Sequence, residues 1–120
     1  MRKQVFVVLS VGFAAAAVFH AVAIFAPGID VPSPAWRHAL FVAINLAVAA
    51  GVLLRPRGFA FAFAALTAQQ VYSHGVTLVL AWRREGRVDW PSVVVLVAMP
   101  LVLVLLVRAR QRPDSESATK

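Results

Sequence analysis

Three histidines, His20, His38 and His74, fall in three separate apolar stretches of this 120-residue sequence. Imidazole ordinarily changes charge near neutral pH and is the commonest metal ligand. Ionisable side chains inside a bilayer are costly, so they face a bundle interior, a cavity or a partner. Two such rings on different helices suit the axial positions of a haem iron, and three suit copper or zinc. A quinone asks for less: a His, Tyr or Gln donor to a carbonyl, an aromatic wall and access from lipid. The densest polar run in any apolar stretch, Gln69-Gln70-Val71-Tyr72-Ser73-His74-Gly75, offers such donors, and Trp36 beside His38 offers the wall. The candidate ligand- or cofactor-binding residues are therefore His20, His38, Asn45, Gln70, Tyr72 and His74. His20, His38 and His74 form the candidate metal set. No His-Glu-x-x-His spacing accompanies them.

The elements that must position these residues are helices in a membrane. The chain is 61% apolar with a mean hydropathy of +0.79, against about 45–50% apolar for a soluble globular chain. Its length fits one domain. Four stretches, about residues 5–26, 35–54, 59–82 and 90–107, each approach the ~20 apolar residues needed to cross a hydrocarbon core of about 30 Å. The first stops at Pro27-Gly28. The second ends at Arg55-Pro56-Arg57-Gly58, a short connection that makes the second and third spans antiparallel neighbours. The third ends in Arg83-Arg84-Glu85-Gly86-Arg87. The fourth opens with Pro91, whose missing N–H is harmless in a first turn, and carries Pro100, a predicted kink. The predicted fold is an all-α four-helix transmembrane bundle, residues 1–107, followed by a disordered basic and polar tail over 108–120. No internal repeat is convincing.

Basic residues set the orientation. One side receives Arg2, Lys3, Arg55, Arg57, Arg108, Arg110, Arg112 and Lys120; the other receives Arg37, Arg83, Arg84 and Arg87, diluted by Asp30, Glu85 and Asp89. The positive-inside rule then places both termini in the cytoplasm and the chain in a cell inner membrane. Trp36, Trp82 and Trp90 fall together at the outer interface, where amphipathic rings anchor. A competing reading takes Met1-Arg2-Lys3, the apolar run and Ala21-Val22-Ala23 as a cleaved signal peptide, although the run exceeds the usual ~7–15-residue apolar core.

Depth follows from a rise of ~1.5 Å per residue. His20 lies about 9 Å below the outer boundary, His38 about 3 Å, His74 about 12 Å and Asn45 about 13 Å. The expected site is a level of His20, Asn45 and His74 roofed by His38 and Trp36. Thr67, Gln70, His74 and Thr77 recur at i, i+3, i+7 and i+10, one polar stripe on the third helix; His38 and Asn45 share a face of the second. On the first, Ala14 to Ala17 are small enough for close helix approach. The plainer reading of all these polar groups is interhelical hydrogen bonding, worth about 0.6–2 kcal/mol each. For His38, beside Trp36 and Arg37, it is an interfacial position.

Composition also excludes classes. The net charge of +7 is held in short clusters between apolar runs, which read as topology signals and anionic-lipid contacts, and no basic stripe interleaved with aromatics points to nucleic acid. With no cysteine, disulfides, thiolate metal sites, iron–sulfur clusters and thiol catalysis are gone. No Asp or Glu lies in a span, so a proton-coupled antiporter of the small multidrug type lacks its carboxylate. No Ser-His-Asp set is expected within reach, and there is no glycine-rich phosphate loop or intramembrane lysine.

In layout the chain resembles the DoxX-like group of small four-helix bacterial membrane proteins. The likeness rests on a first span ending near Pro27, the outer loop Val31-Pro32-Ser33-Pro34, and Leu53-Leu54-Arg55-Pro56-Arg57 closing the second span, over roughly residues 5–107. That resemblance implies a four-helix bundle and a setting beside respiratory or thiol redox systems, with a thiol role lacking its cysteine; it assigns no residue a function. The leading reading is non-enzymatic: an inner-membrane protein binding an apolar or redox-active ligand (quinone-like, haem or metal) in its outer leaflet. The alternative is a structural or assembly subunit of a larger membrane complex, or a homo-oligomer, with membrane lipid as the common partner. A haem- or metal-dependent oxidoreductase is a third reading, with no catalytic signature.

Overall fold

The computed structural model describes residues 3–26 and 34–111. The Pro27-Gly28 stop, Asp30, most of the Val31–Pro34 loop and the tail beyond Gln111 lie outside the described residues, as do Arg2, Arg112 and Lys120. Within them the protein is all-helical, with four helices and no strand: α1 (Lys3–Phe25), α2 (Ala35–Leu54), α3 (Phe59–Glu85) and α4 (Trp90–Arg110). Three of these, α1, α2 and α4, are long and apolar enough to cross a membrane. The longest, α3 at 27 residues, does not reach the same measure, because the run Gln69–Gly75 dilutes its apolar content. At ~1.5 Å per residue it still exceeds the thickness of a hydrocarbon core.

The chain divides into two compact units, Met1–Pro56 and Arg57–Lys120. In the first, α1 and α2 form an antiparallel hairpin, as the pairs Phe6 with Arg55, Ser10 with Ala49 and His20 with His38 show. Its seam has the near-heptad spacing of closely packed helices. Phe6 and Ala17 are buried on α1, and His38, Val48, Ala49 and Val52 on α2. Ala17 belongs to the alanine run expected to let helices approach, and Gly51 is likewise buried on α2. Ser10 Oγ donates to Ala49 O across the seam at 2.8 Å.

The second unit repeats the plan with α3 and α4. Ala60, Phe63, Thr67, Gln70 and Ala81 are buried on α3, at spacings of three, four, three and eleven. Ser92, Met99, Val102 and Leu106 are buried on α4. The polar stripe read from the sequence thus coincides with the buried face as far as Gln70, while Thr77 turns outward and donates to Ser73 O of its own helix. Helix α4 runs through Pro100 without interruption.

Helix ends follow from local chemistry. Asp89 caps α4, its Oδ2 accepting from Ser92 N at 3.2 Å. Gly86 closes α3 in the left-handed region at φ 63°, its N–H bonded to Trp82 O. Arg55 takes the same cap position on α2 at φ 50°, unusual for a residue with a Cβ, and its guanidinium lies 4.6 Å from the Phe6 ring centroid. That contact supplies a cation–π attraction on a ring withdrawn from solvent. Just past the end of α3, Arg87 donates to Glu85, which holds the Arg87 pKa above the ordinary value.

Because α3 packs on α4 through few large side chains, Phe63, 1% exposed, is expected to dominate that seam. Phe63→Ala should lower stability by about 3 kcal/mol, read as a shift in the reversible unfolding midpoint in detergent.

Candidate functional site

Each histidine resides in a helical hairpin that gives it a polar partner. In the first unit, His20 lies five residues before the end of α1 and His38 in the first turn of α2. Their Nδ1 atoms stand 3.1 Å apart. A bond between two ring nitrogens requires one to carry the proton and the other to present its lone pair. The His20 ring stacks on Phe41 at 5.1 Å between centroids and meets Phe19 edge-on at 5.5 Å. Arg37 reaches the same Phe41 ring, its guanidinium carbon 5.9 Å from the centroid. This end of the hairpin therefore combines two imidazoles, a guanidinium and a phenyl wall, with no carboxylate in either helix.

In the second unit, His74 Nδ1 lies 2.9 Å from Ser92 Oγ. Ser92 is fully buried and held from below by the Asp89 cap on its backbone N–H. Serine, histidine and aspartate thus do come together, contrary to the expectation from sequence. They are not in the order of a hydrolytic triad, in which the acid orients the imidazole. Here Asp89 bonds the serine backbone, and a serine with no exposed surface offers no nucleophile to a substrate.

Several expected positions are corrected. His38, expected at the membrane interface, is only 5% exposed, because the first turn of α2 places it on the face that meets α1. His20 pairs with His38 rather than sharing a level with Asn45. Counting depth along each helix separately ignored the stagger between them, and the hairpin aligns the two rings. Asn45 turns back on its own helix, Nδ2 donating to Phe41 O at 2.8 Å. Gln70 is buried and donates to Gln69 Oε1 at 2.7 Å. Tyr72, 76% exposed, and Trp36, 68% exposed, point away from the helix seams. Thr67 Oγ1 donates to Phe63 O within α3.

Two residues that sequence reasoning passed over complete the polar set. Ser10 and Ser92 both bond across a helix seam. Ser92 was legible in principle: Asp89-Trp90-Pro91-Ser92 is an Asp cap, Pro at N2 and an N3 serine whose N–H the cap accepts. Ser10 recurs with Phe6, Ala17 and His20 at heptad-like intervals. Among the described residues, no group of three or more His, Asp or Glu is placed to hold a metal ion.

Comparison with protein-family models, with curated proteins and with solved structures gives no match.

The His74–Ser92 bond joins two helices, so the pair should be energetically coupled. A double-mutant cycle of His74→Ala and Ser92→Ala, read by unfolding in detergent, should return a coupling of about 0.6–2 kcal/mol; additive effects would mean the two side chains do not support each other.

Proposed function

We propose that this is a multi-pass inner-membrane protein that binds an apolar or redox-active ligand, whether quinone-like, haem or metal, at a histidine site in its outer leaflet. In this reading the four helices form one transmembrane bundle, as the DoxX-like layout suggests, with both termini cytoplasmic by the positive-inside rule. Support for the membrane setting comes from α1, α2 and α4, each long and apolar enough to span, and from Trp36, Trp82 and Trp90. All three tryptophans are exposed and sit where their helices meet the hairpin connections, as an aromatic belt requires. The basic residues at the opposite ends, Arg55, Arg57, Arg108 and Arg110, support a cytoplasmic side there and offer a surface for anionic lipid.

The observation that carries the ligand reading is the His20–His38 pair. Two ionisable rings are brought within 3.1 Å in a hairpin whose helices contain no acidic residue to neutralise them. Ionisable side chains within a membrane segment mark a functional position by default. His74, Gln70 and Tyr72 of the second unit are further donors that a quinone carbonyl or haem propionate would use. A second reading, a structural or assembly subunit or homo-oligomer, draws on a different observation. Ser10 with Ala49 O and His74 with Ser92 are bonds between helices, and among the described residues no buried side-chain nitrogen or oxygen lacks a partner.

The deciding experiment is purification from native membranes in mild detergent, followed by an absorption spectrum, elemental analysis and quinone extraction. A bound chromophore, metal or quinone that is lost in His20→Ala or His38→Ala is the expected result. A ligand-free protein that copurifies with a stoichiometric membrane partner would instead establish the subunit reading.

A further inference from the structure

The two hairpins make the same kind of bridge at corresponding places. His20 and His38 are 18 residues apart, and so are His74 and Ser92. In both, the first partner is a histidine near the second half of the leading helix. The other stands in the first turn of the returning helix, two residues after a tryptophan, Trp36 or Trp90. The second hairpin shows that a serine hydroxyl can bridge to the histidine across the seam. The imidazole of His38 is therefore more than the bridge requires.

From this we infer that the first hairpin is a two-nitrogen metal site, in which His20 Nδ1 and His38 Nδ1 bind one copper(I) or zinc(II) ion. The inference rests on the ligand reading above and names the ligand as a metal ion. The two nitrogens already face each other at 3.1 Å. Two imidazoles on a tetrahedral zinc, at about 2.0–2.1 Å from the ion, are separated by about 3.3–3.4 Å, so the rings need open by only a few tenths of an ångström. A metal ion also suits a buried position better than a bulky ligand, since His38 is 95% withdrawn from the surface at its 5% exposure.

Proton placement is consistent with this. Without an ion, one ring must keep its proton on Nδ1 to make the bond. With both ring protons on Nε2, two lone pairs point at each other, which is repulsive unless a cation lies between them. Binding then moves one ring proton from Nδ1 to Nε2 and releases none. Imidazole suits both copper and zinc. The absence of any carboxylate from α1 and α2, with Arg37 on the Phe41 ring that stacks on His20, favours the monovalent ion, because an uncompensated double charge is dearer in a low-dielectric site. Remaining coordination positions fall to water or a small anion, as no third protein ligand is placed there among the described residues.

The test uses the full chain in detergent, titrated with Cu(I) under anaerobic conditions and separately with Zn(II), each against a chromogenic chelator. Wild type should take up one equivalent of the preferred ion. His38→Ser should weaken binding by about tenfold or more while the melting temperature holds, because serine restores the bridge as it exists at position 92. X-ray absorption on the metal-loaded wild type should find two imidazole nitrogens in the first shell, a readout that does not depend on any variant folding. Equal affinity in His38→Ser, or a first shell with fewer than two imidazoles, would overturn the assignment. A wild type that carries haem or quinone but takes up neither ion overturns the metal site and leaves the ligand reading standing; a wild type that holds none of these overturns both.

Discussion

A polar group in a hydrocarbon environment has no water to turn to, so every one that this chain places in an apolar helix must find its partner inside the protein. Apart from Gln70, which donates to its neighbour Gln69, the hairpins meet that demand in two ways. Asn45, Thr67 and Thr77 fold back on a carbonyl one turn earlier in their own helix. Such bonds cost the helix little and say nothing about its neighbours. Ser10, His20, His38, His74 and Ser92 instead reach across a seam. Only the crossing bonds fix register, because sliding one helix past the other by a turn would strand a donor and an acceptor together.

The packing around those bonds serves the same end. Small residues, Ala17, Ala49 and Gly51, let α1 and α2 come close enough for a serine to reach a backbone carbonyl. At the far end of each hairpin an arginine lies over a phenylalanine of the opposing helix, Arg55 on Phe6 and Arg110 on Phe61. Lying over a ring lets a guanidinium cover apolar surface while its polar end stays with water or phosphate. Each hairpin thus has an arginine–aromatic clasp at its open end and a histidine bridge nearer its connection. Between them the seam is apolar apart from Ser10 in the first unit and Thr67 and Gln70 in the second.

Much of this was legible before any coordinates. The helix bounds match the apolar stretches to within a few residues, since Pro, Gly and clustered Arg are strong punctuation. The extension of α3 to Glu85 and α4 to Arg110 reflects charged last turns that hydropathy discounts but helix formation does not. The polar stripe of α3 was found through its spacing, and Gln70 proved buried on it. The site was read less well. His38 is buried although its neighbours Trp36 and Arg37 are exposed, because position in a helix turn, not proximity along the chain, decides which way a side chain faces. Asn45 shared His38's face but satisfied itself locally, an option that any Asn, Ser or Thr in a helix has and that spacing does not reveal. Ser92 is less legible because it stands between Pro91 and a run of valines at the start of an apolar stretch, where its role depends on what comes opposite.

By itself, then, the sequence determined the all-helical architecture and the places where helices end, and it brought out the histidines as the residues whose burial needs a reason. These are consequences of composition and short-range pattern, which the chain carries along its length. Tertiary structure alone decided the partners: His38 for His20, Ser92 for His74, the Ala49 carbonyl for Ser10. A partner across a seam depends on the rotation and stagger of two helices at once. A shift of one residue turns a side chain by about 100°, so no count along a single helix could have chosen between them.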